Sequence, residues 1–231
     1  MDKRQKVFNR IIDQGVLPSF YHANAGTSID TLKALYRAGI RVVEYTNYGN
    51  SAIDNFLQLR RIVDKELPQL YLGAGSIKNK IAATEFINEG ADFIISPGVI
   101  KEVASLVHGN DLLWIPTCMT TTEIAYAEDL GASLVKLFPT DPLGPAYVSV
   151  IQDMFPGLFF MPTGVAELTE ENMEAWFQAG VSVVGLGGKL VSETTGTTAD
   201  HATTEASTKN TLALVQKLKK KWISGAEKLL G

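Results

Sequence analysis

A single lysine, Lys136, stands inside an otherwise apolar run, 134–139 (LVKLFP). Such a run is typical of a strand buried on both faces, where burial disfavours the charged amine and lowers its pKa. A partly neutral amine is a nucleophile that can form a Schiff base with a carbonyl compound. The competing interpretation is a strand-end lysine whose stem is buried while its ammonium group reaches water.

A carboxylate, Glu44, follows the apolar pair Val42 and Val43 in a similar setting. A carboxyl group at the dry mouth of a barrel has a raised pKa and suits general acid–base catalysis, although a nearby Lys136 ammonium would oppose that shift. Glu44 and Lys136 are therefore either a catalytic pair or a buried structural ion pair, and both interpretations stay open on these residues alone.

Few other residues could take part in catalysis or ligand binding. The stretch 185–188 (GLGG) suits an anion site, because backbone N–H groups can approach a phosphate closely, but glycines also serve tight turns. Cys118 has no thiolate partner beside it and is expected to be inert. The three histidines, His22, His108 and His201, lack the spacing of metal ligands, and we expect no metal and no cofactor.

A recurring sequence pattern predicts the strands that position these residues. In this pattern a glycine ends a helical segment and a short apolar run follows. The pattern occurs at Gly39, Gly90, Gly131 and Gly180, and each run is predicted to be a buried strand. Further strand candidates fill the gaps at 16–21, 70–73, 112–115 and 158–161.

Eight strand candidates alternating with helical patterns predict an α/β fold with a parallel sheet. We expect one TIM-barrel domain, a (β/α)8 barrel over residues 1–231 with an N-terminal helix; an open doubly wound sheet is the alternative. The carboxyl ends of barrel strands carry the active site, and Glu44, Lys136 and the glycines 185–188 all fall there.

Four local predictions accompany this fold. Ser28 is expected to cap the helix after the first strand, and residues 99–107 carry a helical apolar stripe. The polar segment 192–209 is predicted to be a loop, followed by a terminal helix whose basic run, Lys217 and residues 219–221, is interpreted as a solvated face.

Composition narrows the class of protein. A net charge of -4 gives no reason to expect nucleic-acid binding, and the single cysteine fits a reducing cytoplasm. The first fifteen residues lack the apolar core of a secretory signal, and no apolar run approaches the roughly 20 residues of a membrane span. We therefore expect a cytoplasmic protein without a membrane partner.

Six short sequence motifs resemble those of the class I 2-keto-3-deoxy-6-phosphogluconate (KDPG)/4-hydroxy-2-oxoglutarate (KHG) aldolases in their order and spacing. The resemblance runs from about residue 8 to residue 191. The motifs are RVVEYT at 41–46, GAGS at 73–76, ISPG at 95–98, VKLFP at 135–139, PTG at 162–164 and GG at 187–188.

The resemblance implies a role for each matching residue. Lys136 is similar to the Schiff-base lysine and Glu44 to the general acid/base of these aldolases. The substrate, a 2-keto acid or sugar phosphate, would be cleaved to pyruvate and glyceraldehyde 3-phosphate without a cofactor, and the family is often a homotrimer. The residues that would hold the substrate are Ser76, Pro97, Phe138, Thr163, Gly164, Gly187 and Gly188.

Three departures from the family pattern bear on the substrate. Tyr48 stands where the family usually has an arginine that grips the substrate carboxylate, and a neutral phenol cannot supply that charged contact. Val165 replaces a glycine, and Lys189 replaces a small polar residue. A related aldolase for 2-dehydro-3-deoxy-6-phosphogalactonate and a non-catalytic sugar-phosphate-binding barrel therefore remain alternatives.

Overall fold

Parallel strands form the wall of the fold. The structure of the protein, a computed structural model, describes residues 2–164, 168–188, 190–191 and 201–229, with side chains described as far as residue 222 in the last range. Within these ranges the strands are β1 (Val16–Phe20), β2 (Val42–Thr46), β3 (Tyr71–Gly75), β4 (Phe93–Ser96), β5 (Leu113–Cys118), β6 (Leu134–Leu137), β7 (Phe159–Pro162) and β8 (Val184–Leu186).

Helices alternate with the strands along the chain. The first helix precedes β1, which confirms the predicted N-terminal helix. In the described part of the chain they are α1 (Lys3–Gln14), α2 (Ala25–Arg37), α3 (Ala52–Glu66), α4 (Lys80–Asn88), α5 (Lys101–Gly109), α6 (Thr121–Asp129), α7 (Gly144–Met154), α8 (Glu170–Gln178) and α9 (His201–Leu229).

The strands close into a barrel. Their order is β7-β6-β5-β4-β3-β2-β1-β8, every described pairing is parallel, and a bridge between Thr163 and Gly185 joins the two ends of this order. A sheet whose first and last strands meet has no open edge there. The (β/α)8 prediction is confirmed, and the open doubly wound alternative is wrong.

The barrel interior is filled with side chains and closed at one end by α1. Val7 and Ile11 of α1 are fully buried in the same cluster as the inward residues of the strands, and α1 packs against β1, β2 and β5. Successive residues of a strand point to opposite faces, so only alternate positions enter this interior. The inward residues include Leu17, Val42, Phe93, Ile95, Leu113, Ile115, Leu134, Met161 and Val183.

The repeated glycines end helices in the predicted way. Gly39, Gly90, Gly131 and Gly180 have φ angles of 110°, 88°, 83° and 94°, a left-handed region that side-chain-bearing residues seldom adopt. Each turn reverses the chain directly into the next strand. The glycine-led strands were therefore predicted correctly from a conformational requirement rather than from hydrophobicity alone.

Two local predictions were wrong in the described residues, and the predicted helical stripe over 99–107 is confirmed except for its first two residues. Asn24 is the N-cap of α2, accepting a hydrogen bond from the Thr27 backbone N–H, whereas Ser28 lies inside the helix and is buried. Helix α5 begins at Lys101, which leaves residues 99–100 ahead of the helix. Residues 201–209 belong to helix α9 rather than to a loop, while 192–200 lie outside the described residues.

The basic run on α9 is only partly a solvated face. Lys217 forms an ion pair with Glu170 of α8, and Lys221 forms one with Glu174. Lys219 instead donates to the backbone carbonyls of Ile12 and Asp13 at the end of α1, and burial lowers the pKa of its ammonium group while Asp13 partly opposes that effect. These contacts fasten α9 across α8 and the end of α1.

None of the described helices combines the length and apolar composition that a membrane crossing requires.

Candidate active site

Strand alternation brings Lys136 and Glu44 to the mouth of the barrel. Each lies two residues beyond an inward core residue, Leu134 on β6 and Val42 on β2, and so points to the same interior. Lys136 Nζ lies 3.5 Å from Glu44 Oε2, and the side chains are 14% and 4% exposed. An amine and a carboxylate are therefore adjacent at the carboxyl ends of the strands.

Gly75 makes the room that Glu44 occupies. A Cβ atom at residue 75 would lie 1.7 Å from Glu44 Oε1, which no side chain tolerates. In the pairing of β2 with β3, Thr46 lies opposite Gly75 and Glu44 lies opposite Gly73. The glycines of β3 thus permit a carboxylate to lie over the sheet at this level of the barrel.

A similar arrangement holds Thr163 at the end of β7. A Cβ at Gly185 of β8 would lie 2.2 Å from Thr163 Oγ1, so the absent side chain leaves space for the hydroxyl. Thr163 is only 7% exposed, and its carbonyl accepts a hydrogen bond of 3.0 Å from Thr140 Oγ1. Thr163 is consequently a fixed polar group at the seam between β7 and β8.

One cavity of about 1080 Å³ contains every site residue predicted from the sequence. The predicted residues on its wall are Glu44, Ser76, Pro97, Lys136, Phe138, Thr163, Gly164, Gly187 and Gly188. This size suits a small organic ligand, and a concave site at the carboxyl ends of barrel strands is where such ligands bind. The structure places these residues together; their individual roles stay predictions.

Two of these residues have conformations that shape the cavity. Ser76 adopts a φ of 59°, a left-handed conformation that is uncommon for a residue with a side chain and recurs at functional sites. Phe138 is 52% exposed, and a Cβ at Gly164 would come within 3.5 Å of its ring. An exposed aromatic ring beside a glycine backbone adds to the apolar part of a wall that carries both polar and apolar groups.

Sequence reasoning missed the contribution of β1. The segment after this strand lines a large part of the cavity, and it holds a histidine whose Nε2 lies 3.3 Å from Thr31 Oγ1. The carboxyl end of β1 lies at the same face of the barrel as those of the other strands, which is the signal that points to this segment. The lining residues from the end of β1 and the segment after it are Ser19, Phe20, Tyr21, His22, Ala23, Asn24 and Thr27.

Tyr48 lies at the rim of this cavity. Its side chain is 60% exposed, and its ring meets Tyr21 edge-on with 6.3 Å between centroids. The Tyr21 hydroxyl lies 3.0 Å from Ser51 Oγ, which fixes that ring in turn. The position where the family usually has an arginine therefore presents a phenol to the cavity, while the departures at residues 165 and 189 lie outside the described residues.

Cys118 is buried, as expected for an unreactive thiol. Burial, with a smaller contribution from Glu123, raises the pKa of the Cys118 thiol to about 12, so the thiol stays protonated and unreactive. In the described ranges no group of three or more His, Cys, Asp or Glu side chains is arranged to hold a metal ion.

Comparison with known proteins places this architecture in a family. The chain matches the family described as KDPG and KHG aldolase over residues 7–206. It is 30% identical over 129 residues to a 2-dehydro-3-deoxy-6-phosphogalactonate aldolase of Escherichia coli, covering 56% of this chain and 62% of that relative. It is 28% identical over 211 residues to a 2-dehydro-3-deoxy-phosphogluconate aldolase of Treponema pallidum, covering 90% of this chain and 97% of that relative.

Solved structures agree with this assignment at the level of the fold. A 2-keto-3-deoxy-6-phosphogluconate aldolase of Zymomonas mobilis superposes with a TM-score of 0.77 at 22% identity, covering 90% of this chain and 97% of that one. The family match extends over most of the sequence and includes the strands that carry Glu44 and Lys136. The protein belongs to the KDPG and KHG aldolase family.

Proposed function

We propose that the protein is a Schiff-base (class I) aldolase that cleaves 2-dehydro-3-deoxy-6-phosphogluconate to pyruvate and glyceraldehyde 3-phosphate, and that also accepts 4-hydroxy-2-oxoglutarate. The observation that supports this is the Lys136 amine, 3.5 Å from the Glu44 carboxylate in a cavity at the carboxyl ends of the strands. Family membership and the Treponema pallidum relative point to the same chemistry.

The proposed mechanism uses the two groups in turn. Lys136 Nζ attacks the C2 carbonyl of the substrate, and loss of water gives a protonated imine. Glu44 removes the proton of the C4 hydroxyl, the C3–C4 bond breaks, and its electron pair moves toward the imine to give an enamine and a free aldehyde. Glu44 returns the proton to C3, and water hydrolyses the imine to release pyruvate and Lys136.

The other lining residues are proposed to bind the substrate. Ser76 and Thr163 offer hydroxyl groups to the pyruvate end, and Pro97 borders it. Phe138 is proposed to pack near the imine, supported by its exposed ring at the cavity edge. Gly164, Gly187 and Gly188 leave backbone open to the distal phosphate, since no side chain blocks its approach.

Reductive trapping tests the proposal. Incubation with pyruvate and borohydride is expected to add one pyruvate-derived group to Lys136, which peptide mapping by mass spectrometry locates. Lys136→Met serves as the control, because it keeps the stem and removes the amine. If the wild-type protein stays unmodified at saturating pyruvate, the Schiff-base proposal is wrong.

A second candidate substrate is 2-dehydro-3-deoxy-6-phosphogalactonate, the C4 epimer. It is favoured by the 30% identity to the Escherichia coli relative named for that substrate. Comparing kcat/KM for the two epimers decides between them, since the ratio of kcat/KM measures discrimination directly. A preference of about a hundredfold for the gluconate-derived epimer would exclude the galactonate reading.

A barrel that binds sugar phosphates without turnover is the alternative of another class. The phenol at Tyr48, in place of a charged carboxylate ligand, is the feature that favours it. Such a protein would bind the phosphorylated acid and release no pyruvate. Measurable pyruvate production, lost in Lys136→Met, would eliminate this alternative.

We further propose that residues 1–231 fold as one domain, that the protein is cytoplasmic and that it assembles as a homotrimer. The contacts of α9 with α2 and α8 support the first proposal, and the metabolic names of the relatives support the second.

Exposed apolar side chains on α7, Val150 and Met154, offer a surface for assembly. Light scattering coupled to gel filtration measures the oligomer mass and would contradict the trimer if it gave a monomer.

A further inference from the structure

The charges on the cavity wall cancel. Among the described lining residues the groups charged at neutral pH are Lys136 and Glu44, and these lie 3.5 Å apart. The histidine on the wall, His22, already engages Thr31 through its Nε2 atom at 3.3 Å. The described wall therefore offers a bound anion no guanidinium, the group best suited to grip a carboxylate with two parallel hydrogen bonds.

Hydroxyl groups take the place of such a cation near β2 and β3. Thr46, Tyr48 and Ser76 all line this side of the cavity. The Tyr48 side chain is 60% exposed, and its ring lies edge-on against Tyr21. A phenol in this position can donate a hydrogen bond to a carboxylate oxygen or to an amide oxygen, and it lacks the positive charge by which an arginine favours the carboxylate.

We propose that Tyr48 is a specificity-determining residue that allows the site to accept carbonyl donors with an uncharged group next to the reacting carbonyl. The substrate class extended in this way is 2-oxo amides alongside 2-oxo acids. The inference rests on the Schiff-base activity proposed above. Its physical basis is that a neutral wall discriminates weakly between a carboxylate and an amide of nearly the same shape, whereas an arginine at residue 48 would favour the carboxylate.

The covalent step is the same for both donors. Lys136 Nζ forms a bond to C2 of pyruvate or pyruvamide, the carbonyl oxygen leaves as water, and borohydride supplies a hydride to the imine carbon. The product is a secondary amine. It adds the mass of the keto compound less one oxygen atom to Lys136, so the two adducts are distinguished in the same peptide.

The experiment compares initial rates of adduct formation with pyruvate and with pyruvamide at equal subsaturating concentrations. Taking the ratio of the two rates for each variant, and comparing it across variants, removes the intrinsic difference in reactivity of the two compounds. The wild-type protein is expected to be trapped by both, with rates within about tenfold of each other. Tyr48→Arg is expected to shift the ratio toward pyruvate by about tenfold or more, the typical effect of gaining a charged hydrogen bond.

Tyr126→Arg is the matched control. Tyr126 is a partly exposed tyrosine on α6, it does not line the cavity, and its substitution adds the same charge to the protein. The control should leave the ratio of the wild-type protein unchanged. An equal shift in the control would overturn the assignment, because the effect would then come from net charge rather than from residue 48.

The remaining outcomes separate this inference from the proposed function. A wild-type protein trapped by pyruvate but about a hundredfold more slowly by pyruvamide would overturn the inference and leave the aldolase proposal intact. An unchanged ratio in Tyr48→Arg would do the same, since residue 48 would then not face the group beside C2. No adduct with either compound would remove the Schiff base, and the inference would fall with it.

Discussion

The Glu44 carboxylate lies directly over Gly75 of the neighbouring strand. A Cβ atom at residue 75 would lie 1.7 Å from Oε1 and 2.5 Å from Cδ of Glu44. The same carboxylate has its other oxygen 3.5 Å from Lys136 Nζ. The position of the proposed proton-transfer group therefore depends on the absence of a side chain on β3.

Gly75→Ala is expected to displace Glu44 and to reduce kcat for pyruvate release by about a hundredfold, the low end of what a positioned general acid/base contributes. Lys136 should still form the adduct, because the substitution does not touch β6. Gly157→Ala is the control, since a Cβ there would meet nothing within 4 Å. Unchanged turnover in Gly75→Ala would show that the carboxylate position does not limit the reaction.

Glu44→Gln and Lys136→Met should separate proton transfer from covalent capture. We expect Glu44→Gln to slow turnover by about a hundredfold to ten-thousandfold while pyruvate still traps Lys136, because the amide keeps the shape but transfers no proton. Lys136→Met should give no adduct and no turnover. A Glu44→Gln variant with wild-type turnover would assign the carboxylate a structural role as the ion-pair partner of Lys136.

Cys118 should make stability depend on pH in the alkaline range. Burial raises the pKa of its thiol from 9.0 to about 12, so above about pH 9 the unfolded chain releases this proton while the folded protein keeps it. Because the unfolded state then binds fewer protons, stability falls as pH rises through this window, by at most about 1.4 kcal/mol per pH unit. Urea unfolding between about pH 9 and 10.5 should show a steeper loss for wild type than for Cys118→Ala.

Thiol labelling checks the same property independently. At about pH 8 the folded protein should react with iodoacetamide roughly a thousandfold more slowly than a denatured sample, following the difference in thiolate population. Labelling of folded protein at the rate of the denatured sample would contradict the buried, protonated thiol.

The lysines of α9 should differ in their contribution to stability. Lys219→Met is expected to cost about 1–3 kcal/mol in the free energy of unfolding, because a partly buried ammonium group donates to the carbonyls of Ile12 and Asp13. Lys217→Met and Lys221→Met remove exposed ion pairs and should cost less than about 1 kcal/mol each. Urea unfolding of the single variants measures all three, and equal costs would show that the α1 contact contributes nothing special.

Some features of this protein follow from local sequence, because the physical requirements that set them are local. A left-handed residue is needed where each helix turns into the next strand, and Gly39, Gly90, Gly131 and Gly180 supply it. Strand periodicity likewise places Glu44 in phase with Val42, and Lys136 in phase with Leu134, on the inner face. The barrel and the side of the sheet that carries its polar groups could therefore be predicted.

Helix starts were less predictable, since several polar residues compete to cap a helix. Ser28 and Asn24 are both good capping residues, and the structure selects Asn24 because Ser28 is needed inside the helix, where its hydroxyl meets the His22 carbonyl. The start of α9 at His201 was missed for a related reason. Its threonine-rich first turns have weak helical propensity and are held by packing on α2.

The sequence by itself determined which functional groups lie at the strand ends. They are a lysine, a carboxylate and glycines, with a phenol in place of an arginine. Only the tertiary structure decided that Lys136 and Glu44, far apart in the chain, lie 3.5 Å apart, that Gly75 makes room for the carboxylate, and that the segment after β1 lines the cavity. Closure of the barrel brings these residues together, and the distances between strands across a closed barrel are set by packing of its whole interior rather than by any local pattern.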